Sequence, residues 1–210
     1  MELSELFAEH GDISQYPPER RILIAALECI RESGLEGATV RAIASRAGVN
    51  PAAVNYYYRS KDRVIEEALR AAWSHVADDI EMILTKTPDS SAASRLAVRY
   101  LLEGAVGSPK VIRAIIVQHP KLHGEVAEFF RKLFHRISPR DGRHTALLLI
   151  ALAVFISVAP DAATVLAGVD LPNRVSRERL WKDLAESLMG PAAARPKKTQ
   201  HHQKASPRLK

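Results

Sequence analysis

The chain has 210 residues, 47% hydrophobic and 26% charged, with a formal net charge of +6 at neutral pH and a single cysteine, Cys29. That length holds one large core, or a small module plus a larger domain, and the lone cysteine excludes an internal disulfide. Six of the 30 Lys and Arg residues lie in the acid-free stretch 191–210, so the rest of the chain balances at 24 basic against 24 acidic, and the net charge alone does not argue for a nucleic-acid partner.

In chain order, residues 1–17 read as a flexible polar leader. Glu2, Glu5, Glu9 and Asp12 leave no apolar stretch of the kind a secretory signal requires. Pro17-Pro18 opens a helix in which Ile22, Leu23, Ala26, Leu27 and Ile30 recur at helical spacing, and Gly34 is placed to end it. Cys29 on this helix reads as small core filling rather than a redox switch.

Thr39 is a cap for a second short helix whose inward positions are Val40, Ile43, Ala44 and Ala47. Gly48 supplies a tight turn, because it tolerates positive φ without a Cβ clash. Asn50 caps a third helix with Pro51 at its first position, and Ser60 caps a fourth that starts at Lys61. Between Gly37 and Lys61 there are four cations, Arg41, Arg46, Arg59 and Lys61, and no acid. The fourth helix is long, with Ile65, Ala68, Leu69, Ala72, Val76, Ile80, Ile83 and Leu84 on one stripe.

After a break at 85–91, helical patterns cover roughly 92–106, 109–118, 124–137, 141–158 and 176–189, with Gly190-Pro191 as a stop signal. The longest apolar run, Ala146–Pro160, is about 15 residues where a membrane span needs roughly 20, so it is expected to be a buried helix and no membrane partner is expected. Residues 191–210 are rich in Pro, Lys and Gln, lack aromatics and read as a disordered basic tail. The fold class is all-α.

The second and third helices with their glycine turn form a candidate helix-turn-helix. Successive helical residues are about 100° apart, so Tyr56, Tyr57 and Tyr58 cannot share a face. Val54 and Tyr58 point inward, Ala52, Asn55 and Tyr56 outward, with Ala53 and Tyr57 on the flank. The outward face suits a major groove: Ala52 and Ala53 permit close approach to thymine methyls and Asn55 can pair bidentately with adenine. Tyr56 and Tyr57 offer hydroxyls, Arg41 reaches a phosphate or guanine, and Lys61 adds charge where a helix N-terminus already suits an anion.

The stretches Gly34–Ala44 and Ala47–Asp62 resemble the N-terminal domain of the TetR family of transcriptional repressors, over roughly Glu19–Leu69. The resemblance implies an N-terminal three-helix DNA-binding domain at 18–62 and a helical ligand-binding and dimerisation domain at 63–190. It also implies a homodimer that binds palindromic double-stranded operator DNA and is released by a small-molecule effector. By position, Arg41, Ala52, Ala53, Asn55 and Tyr56 would face bases, while Thr39, Asn50, Tyr57 and Lys61 would hold phosphates, with Pro51 on the same surface. Tyr57 and Tyr58 depart from the His and Phe common there, and a buried Tyr58 hydroxyl needs a partner. Ile24 stands at a commonly polar position.

In the second half, Leu147–Ile156 is apolar around the whole helix and needs cover on all sides. A second subunit can supply it, with Leu148, Leu152 and Phe155 meeting Leu180, Trp181, Leu184 and Leu188 in an intersubunit four-helix bundle. Candidates to line an effector pocket are Trp73, Tyr100, Ile116, His119, Phe129, Phe130, Phe134 and Phe155. Phe129 and Phe130, being successive, are expected to diverge, one towards the core and one towards a cavity or partner.

His119 and His123 are four apart, but Pro120 and Gly124 interrupt the helix that a zinc pair would need, so no metal is expected. No glycine-rich phosphate loop, nucleophile elbow or framed acid pair is present, so neither an enzyme nor a cofactor is expected. The reading is a cytoplasmic, ligand-responsive repressor. The alternative is a helical protein- or RNA-interaction module with a basic tail.

Overall fold

The computed structural model describes residues 13–137 and 142–189; the expectations for the tail, and for the leader before residue 13, lie outside the described residues. A 3₁₀ turn at Ile13–Gln15 leads to helix α1 (Pro18–Gly37), with Pro18 in its first turn. Its buried residues Ile22, Ala25, Ala26, Cys29 and Ile30 follow the i, i+3, i+4, i+7, i+8 spacing of one apolar face. Regular helical geometry ends at Gly34 as expected, at φ 74°, with a further helical stretch beyond the kink to Gly37.

Helix α2 (Val40–Ala47) starts where the Thr39 hydroxyl oxygen accepts the Ala42 N–H at 3.2 Å. It ends at Gly48, at φ 63°, where the N–H groups of Gly48 and Val49 close on the carbonyls of Ser45 and Ala44. Helix α3 (Pro51–Tyr58) starts from Asn50, whose side-chain oxygen accepts the Ala53 N–H at 2.7 Å. Arg59, at φ 67°, terminates it by donating its N–H to the Asn55 carbonyl at 2.9 Å. Ser60 then caps α4 (Lys61–Lys86) by accepting the Arg63 N–H at 3.2 Å. α1 packs on α2, α3 and α4 around Ile22, Ile30, Ile43, Val54, Val64 and Leu69, all fully buried.

α4 carries its apolar face onward through Trp73, Val76 and Ile80 and packs on α5 (Ser90–Gly107), capped by Asp89. The stretch expected as one helix at 109–118 is instead a short α6 (Pro109–Arg113) followed by a π-helical turn, Ala114–Gln118, and a 3₁₀ turn, Pro120–Leu122. Pro120 biases the residue before it away from helical angles, and His119 sits at φ −123°, ψ 79°. Helices α7 (His123–Ile137) and α8 (Gly142–Val158) follow, and α8 packs among α5, α6 and α7.

A further helix, α9 (Pro160–Ala167), was not expected. Pro160 takes the first position of this helix, a favoured place for proline, and the helix turns away from α8 by 117° and ends at Gly168, at φ 62°. α10 (Arg174–Met189) returns along α5. The Trp181 indole N–H donates to the Glu103 carboxylate at 2.7 Å, and Arg177 pairs with the same carboxylate at 3.2 Å. No strand occurs among the described residues, and no single helix among them is long and apolar enough to cross a membrane.

Candidate DNA-binding surface and apolar cavity

The caps that form the turn also set the surface. Thr39, Arg41, Asn50, Pro51, Ala52, Asn55, Tyr56 and Tyr57 are all exposed and Ala53 is half-buried, so the expected contact residues lie together on α2, α3 and their connection. Capping uses only the acceptor oxygens of Thr39 and Asn50. The hydroxyl proton and the amide N–H groups remain chemically able to donate to a phosphate. Tyr56 is 73% exposed and meets Tyr57 edge-on at 5.3 Å, which orients both rings.

Tyr58 takes the opposite direction. It is buried, and its hydroxyl donates to the Glu19 carbonyl at 3.0 Å, the partner that a buried phenol requires. Burial, with the negative charges of Glu19 and Glu67, raises its pKa well above the ordinary tyrosine value.

Two cations of the segment behave differently from their neighbours in sequence. Arg46 turns back onto α1, donating to Glu32 at 2.5 and 2.7 Å and to Glu28 at 3.3 Å. Its hydrogen bond to Glu32 holds that carboxyl below the usual range. The acid-free character of Gly37–Lys61 therefore overstates the basic surface, because α1 brings carboxylates to Arg46 from outside the segment. Lys61 is half-buried and donates to the Leu35 carbonyl at 3.3 Å, so one of its three ammonium donors is already engaged at the foot of α1.

A separate feature lies between the helices of the second half. Trp73 and Val76 of α4, Tyr100 to Leu102 and Gly104 of α5, and Ile112 and Ile116 around the π-helical turn enclose an apolar cavity. Phe130 of α7 and Leu149 and Ala153 of α8 complete it. The space open to water-sized molecules is about 30 Å³. Four of the eight residues expected to line a pocket, Trp73, Tyr100, Ile116 and Phe130, are brought together here.

The other four are not. Phe134 is buried behind the cavity, stacked on Phe130 at 5.7 Å. Phe129 is half-buried and meets Trp73 edge-on at 5.1 Å, while Phe130 meets the same indole at 5.7 Å. Both rings touch the Trp73 indole, yet of the two successive phenylalanines only Phe130 lines the cavity, as the expectation that one would face a cavity requires. His119 sits at the end of the π-helical turn, with a buried Nδ1 that has no hydrogen-bond partner among the described residues. Phe155 is on the outer face of α8.

The cavity's one phenol is occupied. The Tyr100 hydroxyl donates to the buried Asp79 carboxylate at 2.5 Å, and burial together with that bond raises its pKa well above the ordinary value. Gly104, in the interior of α5, was missed by sequence reading, as were Val76, Leu101, Leu102, Ile112, Leu149 and Ala153. The available signal was Gly104 itself, since a mid-helix glycine costs about 1 kcal/mol relative to alanine and asks for a packing reason.

The expected subunit face is divided. Leu148 and Phe155 are exposed with Leu147 and Val158, and α9 adds Val165 and Leu166, each 77% exposed. Leu152, Leu180 and Leu184 are half-buried. Trp181 does not reach the surface at all. It is 1% exposed and bonded to Glu103 of α5, because its indole fills the seam between α10 and α5. The side chain of Leu188 lies outside the described residues.

Residues 22–68 match the family described as bacterial regulatory proteins, tetR family. Over 85 residues, or 40% of the chain, the sequence is 36% identical to the HTH-type transcriptional regulator BetI of Klebsiella pneumoniae (strain 342), and it covers 44% of that regulator's length. The fold resembles the transcriptional regulator FadR of Bacillus subtilis, solved with stearoyl-CoA (TM-score 0.59, 14% identity, 81% of this chain and 97% of that one). It also resembles AibR, solved with isovaleryl coenzyme A and operator DNA (TM-score 0.56, 18% identity, 83% of this chain and 100% of that one).

Proposed function

We propose that this chain, a member of the TetR family of transcriptional regulators, binds palindromic operator DNA as a homodimer and is released from it by a small molecule. The observation that carries the DNA reading is that Arg41, Ala52, Asn55, Tyr56 and Tyr57 are all exposed on two capped helices that pack on each other. Dimerisation is supported by the apolar residues that α8 and α9 leave uncovered, Leu147, Leu148, Phe155, Val158, Val165 and Leu166, all large and exposed. Two recognition helices of such a dimer would enter successive major grooves roughly 34–36 Å apart.

The apolar cavity is the proposed effector site. Its walls include α4, which begins at the DNA-binding surface, and the π-helical turn, which packs on α1. The resemblance to regulators solved with acyl-CoA ligands supports a ligand-responsive second half. Repression follows if the DNA-bound form occludes a promoter and the ligand favours the other conformer.

Sequence selection from random duplexes, followed by sedimentation of the complex, tests this reading. A palindromic site bound by two chains is expected, with Asn55→Ala losing more affinity for that site than for random duplex. Equal loss on both would show that this face does not read sequence. By linkage, an effector with the same affinity for free and DNA-bound protein cannot release the operator.

A further inference from the structure

We infer that the group this regulator admits to its cavity is an uncharged hydrocarbon moiety, lodged between Trp73, Ile116 and Phe130 in space that Gly104 keeps open. The inference rests on the effector-site reading above and names the chemistry that the site selects. Among the described residues the wall is built from aliphatic and aromatic side chains, and its one phenol, Tyr100, already uses its O–H in a hydrogen bond to the buried Asp79 carboxylate. A carboxylate or phosphate brought there meets no free donor among the described residues of the wall and sits close to the Asp79 carboxylate. An ammonium finds the Asp79 acceptor shielded behind the ring that it bonds. Burying either ion without a partner is far more costly than burying a ring or a branched alkyl group.

Gly104 gives a second, independent observation. It is buried in the interior of α5, and a Cβ built on it meets no atom within 4 Å. A helix ordinarily gains stability from alanine at such a position. Here glycine leaves open space beside the cavity, where an added side chain would stand.

The space is tight. About 30 Å³ is open, whereas an apolar cavity of about 150 Å³ is known to hold benzene, so a ring enters only if part of the wall yields. Ile116 belongs to the π-helical turn, which departs from regular α-helical bonding and packs on α1. Displacement there gives the ligand the unequal affinity for two conformers that any ligand-driven switch requires.

Calorimetry on the full chain with three near-isosteric probes, toluene, benzylammonium and benzoate at neutral pH, tests the assignment. Toluene is expected to bind saturably, and both ions at least about 100-fold more weakly. Gly104→Leu is expected to abolish toluene binding, and Gly104→Ala to weaken it while the thermal midpoint holds or rises. Binding of benzoate or benzylammonium as tight as toluene overturns the inference. So does wild-type protein that takes up no toluene, or Gly104→Leu protein that folds and still binds it. Toluene that binds but leaves operator affinity unchanged supports the hydrocarbon assignment and overturns the release reading instead.

Discussion

The recognition turn and the cavity are made on different length scales of the chain. The caps that start and stop the helices of the turn join residues close in sequence, Thr39 to Ala42, Asn50 to Ala53, Ser60 to Arg63, and Val49 back to Ala44, while Arg46, Tyr58 and Lys61 tie the same segment to α1. The cavity draws on positions from Trp73 to Ala153, carried by α4, α5, α7, α8 and the segment around the π-helical turn. The two short helices still need α1 and α4 to pack against, but where each starts and stops is set locally by its caps. A cavity exists only when several helices have docked. The proposed DNA-facing part is therefore the more locally specified, and the proposed effector cavity depends on long-range docking of helices.

Four measurements can break or sharpen that contrast. The largest effect is expected from Phe134→Ala, which removes a buried ring stacked behind the cavity and should cost about 3–5 kcal/mol in denaturant unfolding. Loss of operator binding by Phe134→Ala protein that remains folded would show that the two regions are less separate than their construction implies. Next is Gly48→Val, which forces a β-branched residue to φ 63°. A left-handed residue costs about 1–2 kcal/mol, and operator affinity should fall with stability because the angle between α2 and α3 depends on that turn. An unchanged protein would show that the turn is not what sets the surface.

The third measurement compares two arginines five residues apart. Arg41→Gln should lower the slope of log affinity against log salt by about 1. Arg46→Gln should leave that slope nearly unchanged, because its charge is held by Glu28 and Glu32. Equal slopes for the two variants would place Arg46 on the phosphate-facing surface after all.

The smallest effect is a pH dependence shared by both regions. Tyr58 and Tyr100 have folded pKa values raised above the ordinary value of about 10, chiefly by burial. Their contribution to stability is fully present below pH 10 and is lost as pH rises beyond it through the folded values. Thermal midpoints measured from pH 8 to 11 should fall at the alkaline end, and less steeply in Tyr100→Phe than in wild type. An identical fall in both would assign the alkaline loss to other groups.

Much of the first region was legible in the residues. Thr39, Gly48, Asn50-Pro51 and Ser60 each impose a backbone state through their own chemistry, so the positions of α2, α3 and the start of α4 could be read from one strand of text. The inward turn of Tyr58 and the outward turn of Tyr56 followed from the 100° step. What could not be read there was pairing across elements. Arg46 counted as surface charge until α1 supplied its carboxylates, and Lys61 looked fully available until the Leu35 carbonyl met it.

The second region shows the reverse. Helices were expected in nearly the right places, yet half of the aromatic residues chosen as lining proved to pack behind the cavity or outside it. Hydrophobic spacing marks a buried face without naming what it is buried against. Trp181 illustrates this: its position on an apolar stripe fits a subunit interface and an internal seam equally, and only the approach of Glu103 distinguished them. The helix that starts at Pro160 was not expected, although proline at a first helical position is a local signal that could have marked it.

By itself, the sequence determined the all-helical class, the capped helix-turn-helix and the opposite orientations of Tyr56 and Tyr58, because caps, turns and helical rotation act within a few residues. The tertiary structure decided which charges reach the surface, which aromatics enclose empty space and where apolar faces remain uncovered. Those depend on distances between segments far apart in the chain, and such distances are fixed only when the helices pack.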